Sequence, residues 1–178
     1  MFRGKRKPEE EKDEEVLHVD LQRGLVTRTE DDTRVIALAS IGWATIEKEL
    51  QSTFITGAAV ILQRLGYSYG RAMGRVAKTQ VSSEEQTFEV VQSLAAESGW
   101  GTISLNGGDL AQGEARITVK NCFFCLHTHD ATEPVCYVLT GLVSGVADEI
   151  LGVVHRVTET KCIGMGDAVC EILIERLQ

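Results

Sequence analysis

The 178-residue sequence lacks any apolar run long enough to cross a membrane. Its longest nearly apolar stretch, residues 54–62, falls far short of the roughly 20 residues that a span requires. The basic residues near the amino terminus are followed by no apolar segment, so we expect no secretory signal peptide. The sequence therefore predicts a cytoplasmic protein, whose thiols are kept reduced.

Motifs of the common cofactor-dependent and hydrolytic enzymes are also missing. There is no Gly-x-x-x-x-Gly-Lys-Ser/Thr, no serine elbow and no zinc-protease helix motif. Gly164 and Gly166 begin a dinucleotide-like pattern, but Val169 stands where that fingerprint needs a glycine. Because no binding place for a flavin or nicotinamide is evident, an enzyme is uncertain and less expected than a binding protein.

Basic residues are few relative to acidic ones. The chain has 18 Lys and Arg against 26 Asp and Glu, a net charge of −8. Nucleic acid is not predicted as a partner, because phosphates require clustered Lys and Arg. The charge run at residues 1–15 predicts a disordered tail, and residues 16–178 are predicted to form a single domain.

Hydrophobic periodicity predicts an α+β fold in which helices pack on a twisted antiparallel sheet. Short strands are expected before Ser40, and capping residues predict where three helices begin. A helix beginning at Pro134 is expected to follow a strand pair and to precede two further strands. The predicted boundaries are helices from Ser40, Thr56 and Ser83, strands around a turn at residues 106–109, a helix to residue 151, and strands at 153–162 and 168–177.

Two rows of glycines occur at helical spacing. Gly66, Gly70 and Gly74 are four residues apart on the second predicted helix, and Gly141 and Gly145 lie on the last one. Such rows favour close packing of another backbone, with room for a ligand as the alternative. Since a monomer rarely needs two such faces and two-fold pairing is the commonest assembly, the rows predict a homodimer.

Five cysteines in a reducing compartment indicate metal or redox chemistry rather than a disulfide frame. Cys162 and Cys170 flank the last predicted hairpin turn, Cys136 lies at the start of the preceding helix, and Glu159 offers a fourth ligand. Zinc commonly takes four such ligands in a closed structural site. Spacing alone leaves two interpretations open, a zinc site or buried free thiols. The odd spacing of Glu159 and Cys162 also requires a bulge or strong twist.

The cysteine-bearing region, residues 113–177, resembles the 4-vinyl reductase domain. That pattern is a Cys at a helix start, a Gly-x-x-x-Gly pair, Glu-x-x-Cys and a last Cys, here Cys136, Gly141 with Gly145, Glu159 with Cys162, and Cys170. The resemblance implies that zinc is held by the Cys, Glu, Cys and Cys of this pattern. It also implies a fold like that of the TRAPP trafficking subunits, with a cavity for hydrocarbon or aromatic molecules between helices and sheet.

A second unusual stretch contains Cys122, Cys125, His127 and His129. On an extended chain the last three share a face and could hold zinc, copper or iron, as a second metal site. Cys-x-x-Cys could instead be a redox pair. The remaining alternative is a strand end that leads into a loop with surface histidines.

We expect a small-molecule binding or sensory domain with a structural zinc site. The segments predicted to face the interior carry few charges, so the expected ligand is apolar or aromatic. The alternatives are a reductase, or reductase accessory, acting on a conjugated double bond, and a protein-interaction subunit. The large side chains expected to line the pocket are Trp43, Phe54, Tyr67, Tyr69, Phe88 and Trp100.

Overall fold

The computed structural model describes residues 17–29, 32–109 and 114–177. The predicted tail at residues 1–15 lies outside these ranges. The chain packs as two compact units, Met1–Leu38 and Ala39–Gln178. The first of them includes residues that the sequence assigned to a single domain over 16–178, and that domain assignment stays a prediction.

The first unit contains a small antiparallel sheet, with β1 at Leu17–Asp20, β2 at Leu25–Arg28 and β3 at Arg34–Val35. The carboxylate of Asp20 accepts two backbone N–H groups of the β1–β2 turn, at 3.0 Å each. Gly24 completes that turn with φ +64°, a conformation that L side chains rarely adopt. The short strands expected before Ser40 are therefore present.

The described residues of the second unit form four α-helices and a four-stranded antiparallel sheet of order β4-β5-β7-β6. This arrangement confirms the α+β prediction. Two single-turn 3-10 helices, Phe123–Cys125 and Ile163–Met165, lie in the connections. The elements are α1 Ser40–Thr53, α2 Ala58–Gln80, α3 Glu84–Glu97, β4 Thr102–Asp109, β5 Glu114–Lys120, α4 Tyr137–Leu151, β6 His155–Lys161 and β7 Cys170–Arg176.

Helix starts agree with the capping signals to different degrees. Ser83 is the N-cap of α3, and its Oγ accepts the N–H of Gln86 at 3.2 Å, as predicted. Ser40 is the first helical residue of α1 rather than its cap. α4 begins three residues after Pro134, because Cys136 has a non-helical backbone with φ −80° and ψ 55°.

The turn predicted at residues 106–109 is wrong. β4 continues through Asp109, and its pairing with β5 shifts register between Leu105 and Gly108. The Asn-Gly-Gly signal therefore marks an irregularity within the strand. Gly108 has φ +92°, and a Cβ there would overlap backbone atoms of Glu114 and Ala115.

Both glycine rows lie at one contact between α2 and α4. A Cβ added at Gly66 or Gly70 would overlap backbone of α4, and one at Gly141 or Gly145 would overlap backbone of α2. The rows thus serve close packing, as their spacing favoured, but they pack against each other within one chain. They consequently give no support to a homodimer, which stays a prediction.

α4 is the central helix of the second unit and is buried on two sides. One side packs on the sheet through residues such as Leu139 and Val143, and the other packs on α2 and α3 through residues such as Leu142 and Val146. A helix that is apolar nearly all round is expected in this position. No described helix combines the length and apolarity needed to cross a membrane.

Candidate metal centre and ligand cavity

All five cysteines converge in one buried cluster. Each has at most 1% of its surface exposed, and none forms a disulfide. They come from the 3-10 turn after β5, the start of α4, and the two ends of the β6–β7 connection. Buried thiols from four chain segments thus meet at one point of the core. The members are Cys122, Cys125, Cys136, Cys162 and Cys170.

The predicted quartet has the dimensions of a tetrahedral zinc site. The Sγ of Cys136 is 3.8 Å from the Sγ of Cys162 and 3.8 Å from that of Cys170. A tetrahedral zinc with Zn–S bonds of about 2.3 Å separates its sulfurs by about 3.8 Å. The three sulfurs and a carboxylate oxygen of Glu159 all lie within 4.8 Å of one another. The arrangement can therefore hold one ion without moving the backbone.

Glu159 reaches the cluster because β6 is irregular. Its pairing with β7 shifts register between Glu159 and Lys161, which supplies the bulge that the odd spacing to Cys162 required. Glu159 Oε2 accepts the N–H of Cys136 at 3.0 Å, whereas its Oε1 is buried without a hydrogen-bond partner. Burial raises the pKa of this carboxyl. An unpartnered buried oxygen beside three thiols is the observation that best fits a cation site.

Cys122 and Cys125 join this same cluster. The Sγ atoms of Cys122 and Cys136 are 3.7 Å apart, and those of Cys125 and Cys170 are 3.5 Å apart. The sequence treated this stretch as extended, which is wrong, because Phe123–Cys125 is a 3-10 turn. Side chains three residues apart eclipse on such a turn, so both thiols face the core. The Cys-x-x-Cys spacing was the signal that could have linked them to the first site.

The expected grouping of Cys125 with His127 and His129 is not what the structure shows. Both histidines are exposed, and Nε2 of His127 lies 2.9 Å from the hydroxyl of Ser40. Among the described residues, the groups close enough to share a metal contain cysteines and Glu159 but no histidine. The bend after Cys122 separates the cysteines from the histidines.

Five thiols in one buried volume cannot all ionise without a cation. Hydrogen bonds from the other thiols hold the pKa of Cys125 well below its ordinary range, whereas those of Cys136 and Cys170 are raised. Partial compensation comes from the backbone, since the N–H of Ile163 donates to Cys170 Sγ at 3.4 Å. Lys161, expected to offset the charge, pairs with Glu171 instead, at 3.2 Å.

A small apolar cavity of about 30 Å³ lies between α3, α4 and the sheet. Its only charged lining residue among those described is Glu84, which is exposed. The other lining residues are Phe88, Val91, Ile103, Ile117, Leu142, Val143, Val146, Ala147, Ile150, Leu151 and Ile174. The cavity can therefore accept apolar matter but offers no basic group to an anion.

Of the six predicted pocket residues, Phe88 alone lines this cavity. Trp43 and Trp100 both pack their rings against Phe124, at centroid distances of 6.1 Å and 6.0 Å. The Tyr67 hydroxyl donates to Asp148 at 3.1 Å, while Phe54 and Tyr69 are about half exposed. The aliphatic lining from α4 was missed because large aromatic residues were sought. Its signal was the apolar character of α4 on every side.

The comparison with family models matches residues 115–176 to the vinyl-4-reductase domain, which is the 4-vinyl reductase domain of the sequence pattern. An uncharacterised protein of Methanocaldococcus jannaschii is 20% identical over 163 residues, which span 92% of either chain. The resemblance that the cysteine pattern predicted is thereby confirmed.

Solved structures share the fold. The phenol-responsive sensory domain of the transcription activator PoxR, solved with phenol, has a TM-score of 0.74 and 21% identity, over 90% of this chain and 85% of that domain. A vinyl-4-reductase family protein of Methanocaldococcus jannaschii has a TM-score of 0.57 and 12% identity, over 81% and 85%. Trafficking protein particle complex subunit 3 of Naegleria fowleri, covalently bound to palmitic acid, has a TM-score of 0.59 and 15% identity, over 78% and 93%. This chain thus carries a vinyl-4-reductase domain at residues 115–176, in an α+β fold that it shares with a TRAPP subunit and an aromatic-responsive sensory domain.

Proposed function

We propose that this chain is a sensory domain that binds an apolar or aromatic small molecule in the cavity between α3, α4 and the sheet. The observation that carries the proposal is the lining of that cavity, which is apolar apart from the exposed Glu84. A buried anion would need a basic side chain there. The shared fold adds support, because the PoxR domain was solved with phenol and the TRAPP subunit with palmitic acid.

The cavity must enlarge to admit such a ligand. A volume of about 30 Å³ exceeds the roughly 10–15 Å³ that one water needs, but it is small for an aromatic ring. Phe88 and Leu151 line the cavity and belong to different helices, so rotation of either side chain would widen it. We therefore expect ligand binding to be accompanied by movement of α3 relative to α4.

We infer that Cys136, Glu159, Cys162 and Cys170 hold a structural zinc. All four ligands come from the protein, which leaves no open position for a substrate. When bound, the ion supplies charge compensation for the thiolates and ties the start of α4 to both ends of the β6–β7 connection. The sulfur spacings and the unpartnered oxygen of Glu159 support this inference.

Thermal-shift measurements with wild-type protein and two variants test the ligand site. Phenol, octane and palmitate are the apolar probes, and phosphate and ATP are the anionic probes. Ala147→Leu adds three carbons inside the cavity and should abolish stabilisation by the apolar probes. Ala96→Leu makes the same change on the exposed face of α3 and should leave the response intact. Selective stabilisation by the anionic probes would contradict the proposal.

A homodimer is a second candidate feature, now for a different reason than the glycine rows. α2 has an exposed apolar stripe at Ile61, Leu65, Tyr69 and Val76, with exposed fractions of 37–56%. Contiguous apolar surface of this kind is typical of interaction sites. Sedimentation should show a dimer that Leu65→Glu converts to a monomer, while Ser93→Glu on exposed α3 surface does not. A wild-type monomer at micromolar concentration would rule the dimer out.

A further inference from the structure

We propose that the cysteine cluster is a binuclear metal centre in which Cys136 and Cys170 bridge two divalent ions. One ion would occupy the zinc site proposed above. The second would be held by Cys122 and Cys125 together with the same two bridging thiolates. This inference rests on the proposed zinc site and extends it to the two cysteines that the site leaves unused.

The ligand atoms fall into two overlapping groups of four. The first group is Cys136, Glu159, Cys162 and Cys170, and the second is Cys122, Cys125, Cys136 and Cys170. Within each group every ligand atom lies within 4.8 Å of the others, and all six residues are buried. The two groups share two members, which is the arrangement of two tetrahedra with a common edge.

The distances agree with such an edge. The shared sulfurs of Cys136 and Cys170 are 3.8 Å apart. The contacts of the second group, 3.7 Å from Cys122 to Cys136 and 3.5 Å from Cys125 to Cys170, are close to the same spacing. A tetrahedral site with bonds of about 2.3 Å requires sulfurs separated by about 3.8 Å along each edge. A four-sulfur site of this geometry favours zinc.

Local structure places the second pair of thiols for this role. The 3-10 turn Phe123–Cys125 aligns Cys122 and Cys125 on one side, with Cys-x-x-Cys spacing that zinc sites commonly use. Only two further thiolates are then needed, and Cys136 and Cys170 lie beside them. The two exposed histidines of the stretch are not required.

Charge also favours two ions over one. A single divalent ion with three thiolates and a carboxylate has a net charge of −2. Five thiolates and one carboxylate carry six negative charges, so two divalent ions leave the same −2. The second ion therefore binds with loss of the Cys122 and Cys125 protons to solvent and adds no buried net charge. Without it, two protonated thiols would sit within 3.7 Å of the thiolates.

Metal content of the full-length chain tests the proposal. Protein expressed with zinc and purified without chelator should contain two zinc ions per chain by elemental analysis and by native mass spectrometry. The double variant Cys122→Ser/Cys125→Ser should contain one. One zinc in both proteins overturns the binuclear centre and leaves the proposed single site standing, whereas metal-free, folded wild type overturns both. A wild-type chain with one zinc and a Cys122–Cys136 disulfide also overturns the proposal.

A magnetic measurement keeps the proposal testable should the double variant not fold. Wild-type protein produced with cobalt(II) in place of zinc would carry two paramagnetic ions joined by the sulfurs of Cys136 and Cys170. Bridging thiolates couple such ions, so the electron paramagnetic resonance signal per cobalt should be strongly reduced. An uncoupled signal of full intensity per cobalt would overturn the bridged centre.

Discussion

At the scale of single residues, the sequence identified the metal ligands better than their surroundings. The spacing of Cys136, Cys162 and Cys170 was enough to nominate them, because a hairpin brings its two ends together whatever the rest of the fold does. The inclusion of Cys122 and Cys125 could not be predicted. It depends on a 3-10 turn that propensity does not distinguish from a strand end.

Glu47 is a residue whose burial predicts a pH dependence of stability. Desolvation, with a smaller contribution from nearby Cys125, raises the pKa of this carboxyl to about 7. The folded state then keeps a proton that the unfolded state loses above its ordinary pKa of 4.5. The free energy of unfolding should therefore fall as pH rises from about 4.5 to 7, by at most about 3 kcal/mol.

Urea denaturation at pH 5 and pH 8 measures this effect. Glu47→Gln carries no titratable group and should lose less stability than wild type between the two pH values. Glu49→Gln changes an exposed carboxyl on the same helix and should behave like wild type. An identical pH dependence in wild type and Glu47→Gln would contradict the assignment.

At the scale of elements, local signals predicted helices and strands where a side chain decides the local geometry. The Ser83 cap was predicted because its hydroxyl has one nearby N–H to accept, that of Gln86. The turn at residues 106–109 was mispredicted because cross-strand pairing with β5 overrides the preference of Asn-Gly-Gly. The glycine rows indicated close packing, but which helices would meet is tertiary information.

The α2–α4 contact makes a graded prediction for glycine substitutions. Gly66→Ala would place a Cβ against the backbone carbonyl of Val138, which cannot move without separating the helices. We expect a loss of about 3 kcal/mol or more in the free energy of unfolding, comparable with overpacking of a core.

Gly74→Ala serves as the matched variant on the same helix. Its added Cβ would meet side-chain atoms of Glu149 at 3.0 Å and 3.3 Å, and a flexible side chain can move away. The loss should therefore be smaller, because alanine also favours helix. Denaturant melts of both variants check this order, and equal losses would show that helix separation is not the cause.

At the scale of the whole second unit, the metal site and the cavity share two walls. α4 carries Cys136 at its start and contributes Val143 and Ala147 to the cavity lining. β7 carries Cys170 at its start and contributes Ile174. An ion that ties these two elements together therefore also fixes two walls of the ligand cavity.

Metal removal should for this reason weaken ligand binding. Treatment with a strong chelator is expected to lower the melting temperature and to reduce the additional stabilisation given by phenol or palmitate. Added zinc should restore both. Unchanged ligand stabilisation in fully metal-free protein would show that the site and the cavity are independent.

The central claim is that the cavity between α3, α4 and the sheet binds an apolar or aromatic molecule, and calorimetric titration of the metal-loaded chain tests it most directly. We predict saturable binding of phenol or palmitate with a negative heat-capacity change, the mark of buried apolar surface. Ala147→Leu should remove that binding. Absence of saturable binding by every apolar probe, together with saturable binding of phosphate or ATP, would contradict the account.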